Sequence, residues 1–234
     1  MRRSLVLLAL ASASLSCLHG QVLRDDFESG SVDKAIWTEL VQGDATLKIQ
    51  PDKAAHGKFA LQVHYPAGKS SLAFLTHDKL PASVKEHIFG RVYVNVSKPP
   101  QGHMVMIPIG DGDYPLSLFE EIGIYRGTWQ PSYQQNRFTS GRGEVVDHGP
   151  AIPADKWFCL EWEFNDNPNS ITLWVDGEKV DEKAFTFREL GTKHLVGDFR
   201  QAAVGVRLWG NNSEAFDVYY DDFALDTKRI GPVK

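Results

Sequence analysis

The chain has 234 residues, a formal net charge of -5 and no cluster of basic residues, so a nucleic-acid partner is not expected. It contains two cysteines, Cys17 and Cys159, and Cys17 lies in an N-terminal segment with the pattern of a cleaved leader. A mature chain would keep Cys159 alone, which predicts no internal disulfide. Its stability must then come from a large apolar core or from a bound ion.

The N-terminal segment predicts export. Two arginines precede an apolar run of roughly ten residues at 5–15, which is typical of a secretory signal and too short to span a bilayer. We therefore assign residues 1–20 to a signal peptide and 21–234 to one domain, secreted to the extracellular space or the periplasm. Cys17 follows a sequence similar to a lipoprotein box with its leucine at the wrong offset, so a lipid anchor is the weaker alternative. No second long apolar run follows, so no membrane span is expected.

Alternating apolar and polar residues recur in short runs between Gly, Pro, Asn and Asp clusters, and no long amphipathic helix interrupts them. This pattern predicts an all-β, two-sheet antiparallel sandwich. A tight turn is predicted at Asp176-Gly177, and one helical turn each at 81–87 and 185–190. Polar stretches at 111–119 and 133–149 are predicted as long loops, which are often functional. The predicted strands are 60–65, 91–96, 103–109, 122–128, 157–164, 171–176, 204–209 and 217–225.

The alternation also separates two kinds of side chain in each strand. One set is aliphatic or aromatic, as at Val92, Val94 and Val96, and is expected between the sheets. The other set is unusual for a solvent face because it contains large aromatic and guanidinium groups. Sugar rings stack on aromatic planes and accept hydrogen bonds from arginine, so this second face is predicted to bind polysaccharide. The alternative is that loops cover it. Its members are Arg91, Tyr93, Trp174, Arg207 and Trp209.

Motifs at both ends and in the middle of the chain carry a family resemblance. They are Asp25-Asp26-Phe27-Glu28-Ser29-Gly30, His56-Gly57-Lys58-Phe59-Ala60-Leu61, Trp157-Phe158-Cys159-Leu160-Glu161-Trp162, Trp174-Val175-Asp176-Gly177, and Tyr219-Tyr220-Asp221-Asp222-Phe223-Ala224-Leu225. Together they resemble concanavalin A-like jelly rolls. They are most similar to the Cip1-type proteins, which share a fold with glucuronan and alginate lyases. The resemblance covers nearly the whole predicted mature chain and implies a jelly-roll sandwich.

The resemblance implies β-elimination on a uronic-acid polymer. That reaction needs a group to neutralise the C5 carboxylate, a base for the C5 proton and an acid for the leaving oxygen. The predicted catalytic residues are Arg91 and Arg207 for the carboxylate, His103 or Tyr125 as base, and Tyr93 or Tyr125 as acid. The predicted substrate-binding residues are Tyr93, Asn95, Gln130, Glu161, Trp174 and Trp209. The full Arg, Gln-x-His and Tyr-rich motifs of the better-known alginate lyases are absent.

The resemblance also implies a structural Ca²⁺ ion that ties the chain ends together. Its ligands would be Glu28, backbone oxygens near Lys58, and Asp221, which are the hard oxygen donors that Ca²⁺ prefers. The alternative is that the acidic residues of these motifs cap turns or pair with Arg24.

Other functions stay open at this stage. A non-catalytic carbohydrate-binding module would use the same face without turnover, and a structural or adhesive protein would fill it with its own loops. A glycoside hydrolase could use Glu161 and Glu163, which alternation places on one face, although the spacing of related glucanases is absent. A monomer is expected, and Cys159 is read as a packed core residue rather than a nucleophile.

Overall fold

A computed structural model describes residues 21–68, 70–112, 119–134, 142–143, 150–166, 169–180, 198–210 and 213–233. The predicted signal peptide with Cys17, the helical turn at 185–190 and most of the two predicted loops lie outside these residues. The strands are β1 Leu23–Asp25, β2 Thr38–Gln42, β3 Thr46–Gln50, β4 Ala60–Tyr65, β5 Leu72–His77, β6 His87–Val96, β7 His103–Gly110, β8 Phe119–Tyr125, β9 Thr128–Gln134, β10 Arg142–Gly143, β11 Phe158–Asp166, β12 Asn169–Val175, β13 Glu178–Lys179, β14 Gln201–Trp209 and β15 Phe216–Asp226.

The strands form two antiparallel sheets, which confirms the predicted jelly-roll sandwich. The eight-stranded sheet has the order β13-β12-β11-β6-β15-β4-β3, with β1 beside β15. The seven-stranded sheet has the order β10-β9-β8-β7-β14-β5-β2. Because β1 pairs with β15 at Leu23–Leu225, the described chain ends lie side by side.

The core lies between the two sheets. In each strand about every second side chain points into this space. In β6 and β11 the buried set includes Val92, Val94, Leu160 and Trp162, all of them fully buried, as the alternation predicted. The opposite sheet contributes a matching set from β8, β9 and β14. Burial of each such side chain stabilises the fold by about 1.5–3 kcal/mol, which explains how one core can hold the domain without a disulfide. The members from the seven-stranded sheet are Ile122, Ile124, Trp129, Val204, Val206 and Leu208.

Local sequence decides where strands turn and where a strand leaves room for a large side chain of its neighbour. Asp176 and Gly177 have φ values of 51° and 84°, the left-handed pair that joins β12 to β13 in a tight hairpin, as predicted. Gly90 in β6 leaves room for Trp162 of β11, since a Cβ there would stand 2.0 Å from the indole ring. The helical turn predicted at 81–87 is a 3-10 turn at Ala82–Val84. No helix among the described residues is long and apolar enough to span a bilayer.

Candidate functional site

The predicted site residues divide between two surfaces that point away from the core on opposite sides of the sandwich. Arg91, Tyr93 and Asn95 lie on β6, Glu161 on β11 and Trp174 on β12, all in the eight-stranded sheet. The remaining five lie on the outer face of the seven-stranded sheet, namely His103, Tyr125, Gln130, Arg207 and Trp209. The expectation that all of them share one face is therefore wrong. Alternation within a strand predicts inside from outside, but it does not say to which sheet the strand belongs.

The C-terminal segment, residues 227–233, covers the outer face of β6, β11 and β12. The Arg229 guanidinium donates to both carboxylate oxygens of Glu161, at 3.1 and 2.9 Å, and Gly231 N donates to the same carboxylate at 2.9 Å. The guanidinium carbon lies 4.4 Å from the ring centroid of Trp174. Glu161 is only 1% exposed, because this segment lies over it. Trp174 and Glu161, which were predicted to bind a ligand, instead contact residues 227–233 of the same chain.

The other predicted residues on this face make similar internal contacts. Arg91 is 6% exposed and donates to the carbonyl oxygens of Asp222, at 3.2 and 3.3 Å, and Gly231, at 3.4 Å. The hydroxyl of Tyr93 accepts from Val233 N at 3.0 Å. Arg91 thus does not converge with the other three predicted catalytic residues. The prediction that Arg91 is catalytic is therefore corrected. On this face the alternative applies, in which the chain itself covers the outward side chains.

The hydrolase alternative meets the same obstacle. Glu161 is held by Arg229, and Glu163 accepts from His87 Nε2 at 2.7 Å. A general acid or nucleophile must reach the substrate, and Glu161 cannot do so while the C-terminal segment lies over it. Cys159 lies on the same face and is 1% exposed, and burial, reinforced by Glu161, raises the pKa of its thiol to about 12. It is a packed residue, as predicted.

The outer face of the seven-stranded sheet brings the other predicted residues together in two rows that cross four strands. In the first row Trp209 of β14 pairs with His103 of β7, and Tyr125 of β8 stands one position beyond the Met104–Ile124 pair. In the second row Arg207 pairs with Val105, Val105 with Gly123, and Gly123 with Gln130. Three of the four predicted catalytic residues therefore lie on neighbouring strands.

Two direct contacts organise these rows. The Arg207 guanidinium carbon lies 3.6 Å from the ring centroid of Trp209, a cation–π contact that holds both side chains flat on the sheet. The His103 Nε2 atom lies 3.5 Å from Glu121 Oε1, and the Glu121 side chain is almost completely buried while that of His103 is 25% exposed. Gly123 lies between Glu121 and Tyr125 on β8, and a Cβ there would stand 2.4 Å from the carbonyl oxygen of Met104.

Glu121 is a site residue that the sequence did not reveal. The predicted strand begins at Ile122, whereas β8 begins at Phe119, so Glu121 falls outside the predicted alternation. The second polar group of note is Gln130, which is 9% exposed and whose Oε1 has no hydrogen-bond partner among the described residues. An amide oriented beside Gly123 in this way is available to a ligand group.

An apolar cluster bounds the rows on the side of β5. It is separate from the main core and consists of Leu72, Phe74, Val105, Phe119 and Ala203, with Leu40 and Trp209 packed against it. Its five central members are between 0 and 4% exposed. The polar rows thus lie beside a dry wall, and charges next to such a wall interact more strongly than charges in open water.

The predicted calcium residues lie near the paired chain ends and contact the segment between β3 and β4. Glu28 Oε1 accepts from the backbone amides of Lys58 and Phe59, at 2.8 and 2.9 Å. Asp221 Oδ2 accepts from the amides of Ala55 and His56, at 2.8 and 3.0 Å. Burial, with a smaller contribution from Asp222, raises the pKa of Asp221 to about 6.

These contacts fit a calcium ion poorly. The oxygens that would face a cation already accept from N–H groups, whose positive ends would repel it. Within the described ranges, no three Asp, Glu, His or Cys side chains form a cluster that could hold a metal. Calcium therefore stays a prediction.

Comparison with solved structures places this arrangement among known folds. The structure of the cellulose-induced protein Cip1 superposes with a TM-score of 0.68 at 16% identity, covering 90% of this chain and 100% of that chain. The endo-β-1,4-glucuronan lyase of the fungus Trichoderma reesei gives a TM-score of 0.64 at 15% identity, covering 89% and 96%. The botulinum neurotoxin serotype C1 binding domain gives 0.57 at 12% identity, covering 90% of this chain and 49% of that chain.

No protein-family model matches the sequence, and no curated protein matches it either. At the identities above, structural likeness establishes the fold and not the activity. The chain has the Cip1-like jelly-roll fold, which the glucuronan lyase shares.

Proposed function

We propose that the protein is a secreted polysaccharide lyase that cleaves a uronic-acid polymer by β-elimination on the outer face of its seven-stranded sheet. The observation that carries the proposal is the grouping of Arg207, His103 and Tyr125 on three neighbouring strands, with Glu121 behind His103. The fold shared with a glucuronan lyase supports the same reaction class by analogy.

The proposed binding surface suits an acidic sugar. Arg207 is half-buried on the Trp209 ring, so its guanidinium is held in place and offers a planar fork to a carboxylate. The Trp209 ring face supports this guanidinium, and the partly exposed edge of the ring would contact the C–H groups of a pyranose. Gln130, which pairs with Gly123 across β8 and β9, would accept a hydrogen bond from a sugar hydroxyl through its unpartnered Oε1.

The proposed reaction needs only groups of this chain. His103, whose Nε2 lies 3.5 Å from Glu121 Oε1, would accept the C5 proton of the uronate through its imidazole. Arg207 neutralises the carboxylate and so stabilises the negative charge that develops at C5. The C4–O bond then breaks, a C4=C5 double bond forms, and the Tyr125 hydroxyl protonates the leaving oxygen. Transfer of the proton from His103 to the Tyr125 oxygen restores both residues.

The test is an ultraviolet assay for the unsaturated product. Purified protein is incubated with glucuronan, alginate and polygalacturonate, and absorbance of the new double bond is followed. We expect turnover of at least one polymer, and a loss of about 10²–10⁴-fold in the His103→Ala variant, as for removal of a general base. His87→Ala is the matched control, because His87 is a half-exposed histidine on the other sheet.

Two outcomes of these experiments would overturn the lyase proposal or its choice of base. If no polyuronate is cleaved but the protein is retarded in polyuronate gels through Arg207 and Trp209, the surface is that of a non-catalytic binding module. If His103→Ala and His87→Ala have equal turnover, the base has been assigned wrongly. Detection of the protein in culture supernatant after expression from its own N-terminus tests the proposed secretion.

A further inference from the structure

A second ligand surface lies on the part of the eight-stranded sheet that residues 227–233 do not contact. Register places Lys48 of β3 beside Gln62 of β4, Gln62 beside Tyr219 of β15, and Tyr219 beside Asn95 of β6. Trp157 follows in the same row, one residue before the Phe158–Val94 pair. We refer to Gln62, Tyr219, Asn95 and Trp157 as the aromatic platform. It is on the opposite side of the sandwich from Arg207 and His103.

The two rings of the aromatic platform are held in place but remain partly exposed. Trp157 and Tyr219 have ring centroids 6.5 Å apart and planes at 61°, so they form a bent surface rather than a closed stack. Gln62 Nε2 lies 2.9 Å from Asp217 Oδ1 and 3.4 Å from the Tyr219 hydroxyl oxygen, so the phenol group is held by a hydrogen bond. Partly exposed, immobilised aromatic rings lose little entropy when a sugar ring packs on them.

A buried acceptor lies between these rings. Asn95 is 1% exposed, and alternation in β6 points its side chain away from the core, which Val94 and Val96 face. Its Oδ1 atom has no hydrogen-bond partner in the described part of the chain. An unsatisfied buried acceptor costs about 1–3 kcal/mol, and a ligand hydroxyl placed between the rings would remove that cost.

The charges around the aromatic platform select against an acidic ligand. The Lys53 ammonium lies 4.7 Å from the centroid of the Tyr219 ring and also pairs with Asp155. His64 Nδ1 lies 3.0 Å from Asp217 Oδ1. The pKa of Tyr219 is raised, first by burial and then by the negative charges of Asp217, Asp155 and Asp52. A polyuronate would be repelled by these carboxylates, whereas an uncharged glycan would not.

We propose that the aromatic platform is a binding site for a neutral polysaccharide, separate from the surface that carries Arg207. The glycan packs its pyranose faces on Trp157 and on the part of the Tyr219 ring that Lys53 leaves exposed, and its hydroxyls bond to Gln62 and Asn95. This inference does not depend on the proposed lyase activity, because the two surfaces share no residue. The chain would then attach to a neutral polymer by one sheet while the other sheet remains accessible.

Affinity electrophoresis in gels that contain hydroxyethylcellulose or soluble neutral xylan tests the site. We expect retardation of the native protein in at least one neutral gel, and at least tenfold weaker binding for Trp157→Ala and for Tyr219→Ala. Tyr219→Phe keeps the ring and should retain most of the affinity. Phe89→Ala is the matched control, because it removes a partly exposed ring from β6 outside the aromatic platform and should bind as the native protein does.

Absence of retardation of the native protein in both neutral gels would overturn the proposal. So would Trp157→Ala and Tyr219→Ala variants that keep native affinity. Circular dichroism of each variant checks that it folds, and Tyr219→Phe supplies a second comparison if an alanine variant does not. Turnover of polyuronate is measured separately on the same variants, so failure of the aromatic platform and failure of the lyase proposal give different results.

Discussion

The outer face of β6, β11 and β12 and the outer face of β7, β8 and β14 carry the same kinds of residue but use them differently. On the first face, Arg229 contacts Trp174 and donates to Glu161, so residues of the chain itself occupy the place that a ligand would take. On the second, Arg207 lies on Trp209 and contacts solvent. An arginine–tryptophan pair on a strand therefore does not by itself indicate a ligand site. What covers the pair decides its role.

The largest expected difference is in the reactivity of the Cys159 thiol, which lies on the face that residues 227–233 cover. Because burial raises the pKa of Cys159 from an ordinary 9.0 to about 12, its thiolate fraction at pH 8 falls by about a thousandfold. In a Cys17→Ser variant, which leaves Cys159 as the one thiol, reaction with a disulfide reagent should be at least that much slower in the native state than in urea. Complete reaction of the native protein within minutes would show that this face is not closed.

The next largest expected effect is the loss of stability when the C-terminal segment, residues 227–233, loses its contact with Glu161. Arg229→Ala leaves the buried Glu161 carboxylate without its cation, so the free energy of unfolding should fall by about 3 kcal/mol. Urea denaturation measures this change. Lys228→Ala is the control, since Lys228 is exposed and its removal should change stability by less than about 0.5 kcal/mol. Equal stability of the two variants would contradict a structural role for residues 227–233.

A smaller effect is expected on the open face. Trp209→Ala should lower the free energy of unfolding by about 1 kcal/mol, because the ring is partly exposed and packs only on the edge of the small apolar cluster. Trp162→Ala removes a fully buried ring and should cost about 3–5 kcal/mol in the same urea assay. A loss for Trp209→Ala as large as that for Trp162→Ala would mean that Trp209 serves the fold rather than a ligand.

The smallest expected effect is that of calcium removal. If Ca²⁺ binds near Glu28 and Asp221, dialysis against EGTA should lower the melting temperature. Because backbone amides at 55–59 already hold both carboxylates, we expect a shift of only a few degrees, on the order of 1 kcal/mol. Added Ca²⁺ should reverse the shift, and a transition unchanged by EGTA would argue against the ion.

Much of the fold could be predicted from local pattern. The runs at 60–65 and 103–109 agree with β4 and β7 almost residue for residue, and the Asp176-Gly177 turn follows from its two left-handed residues. Half of the candidate site could be predicted in the same way, because His103, Tyr125 and Arg207 lie on the predicted polar side of their strands. Glu121 was missed because two adjacent glutamates, Glu120 and Glu121, interrupt the alternation at the start of β8.

The sequence by itself determined most of the inward and outward positions, because the pleat alternates along each strand except where a bulge interrupts it, as in β7, β14 and β15. Only the tertiary structure decided which strands lie side by side, so it alone separated Arg91 from Arg207. It also decided that residues 227–233 fold back over Glu161, a contact across 68 positions of the chain between Arg229 and Glu161. Such long-range pairing depends on the summed energy of the whole sandwich, and no short segment of sequence encodes it.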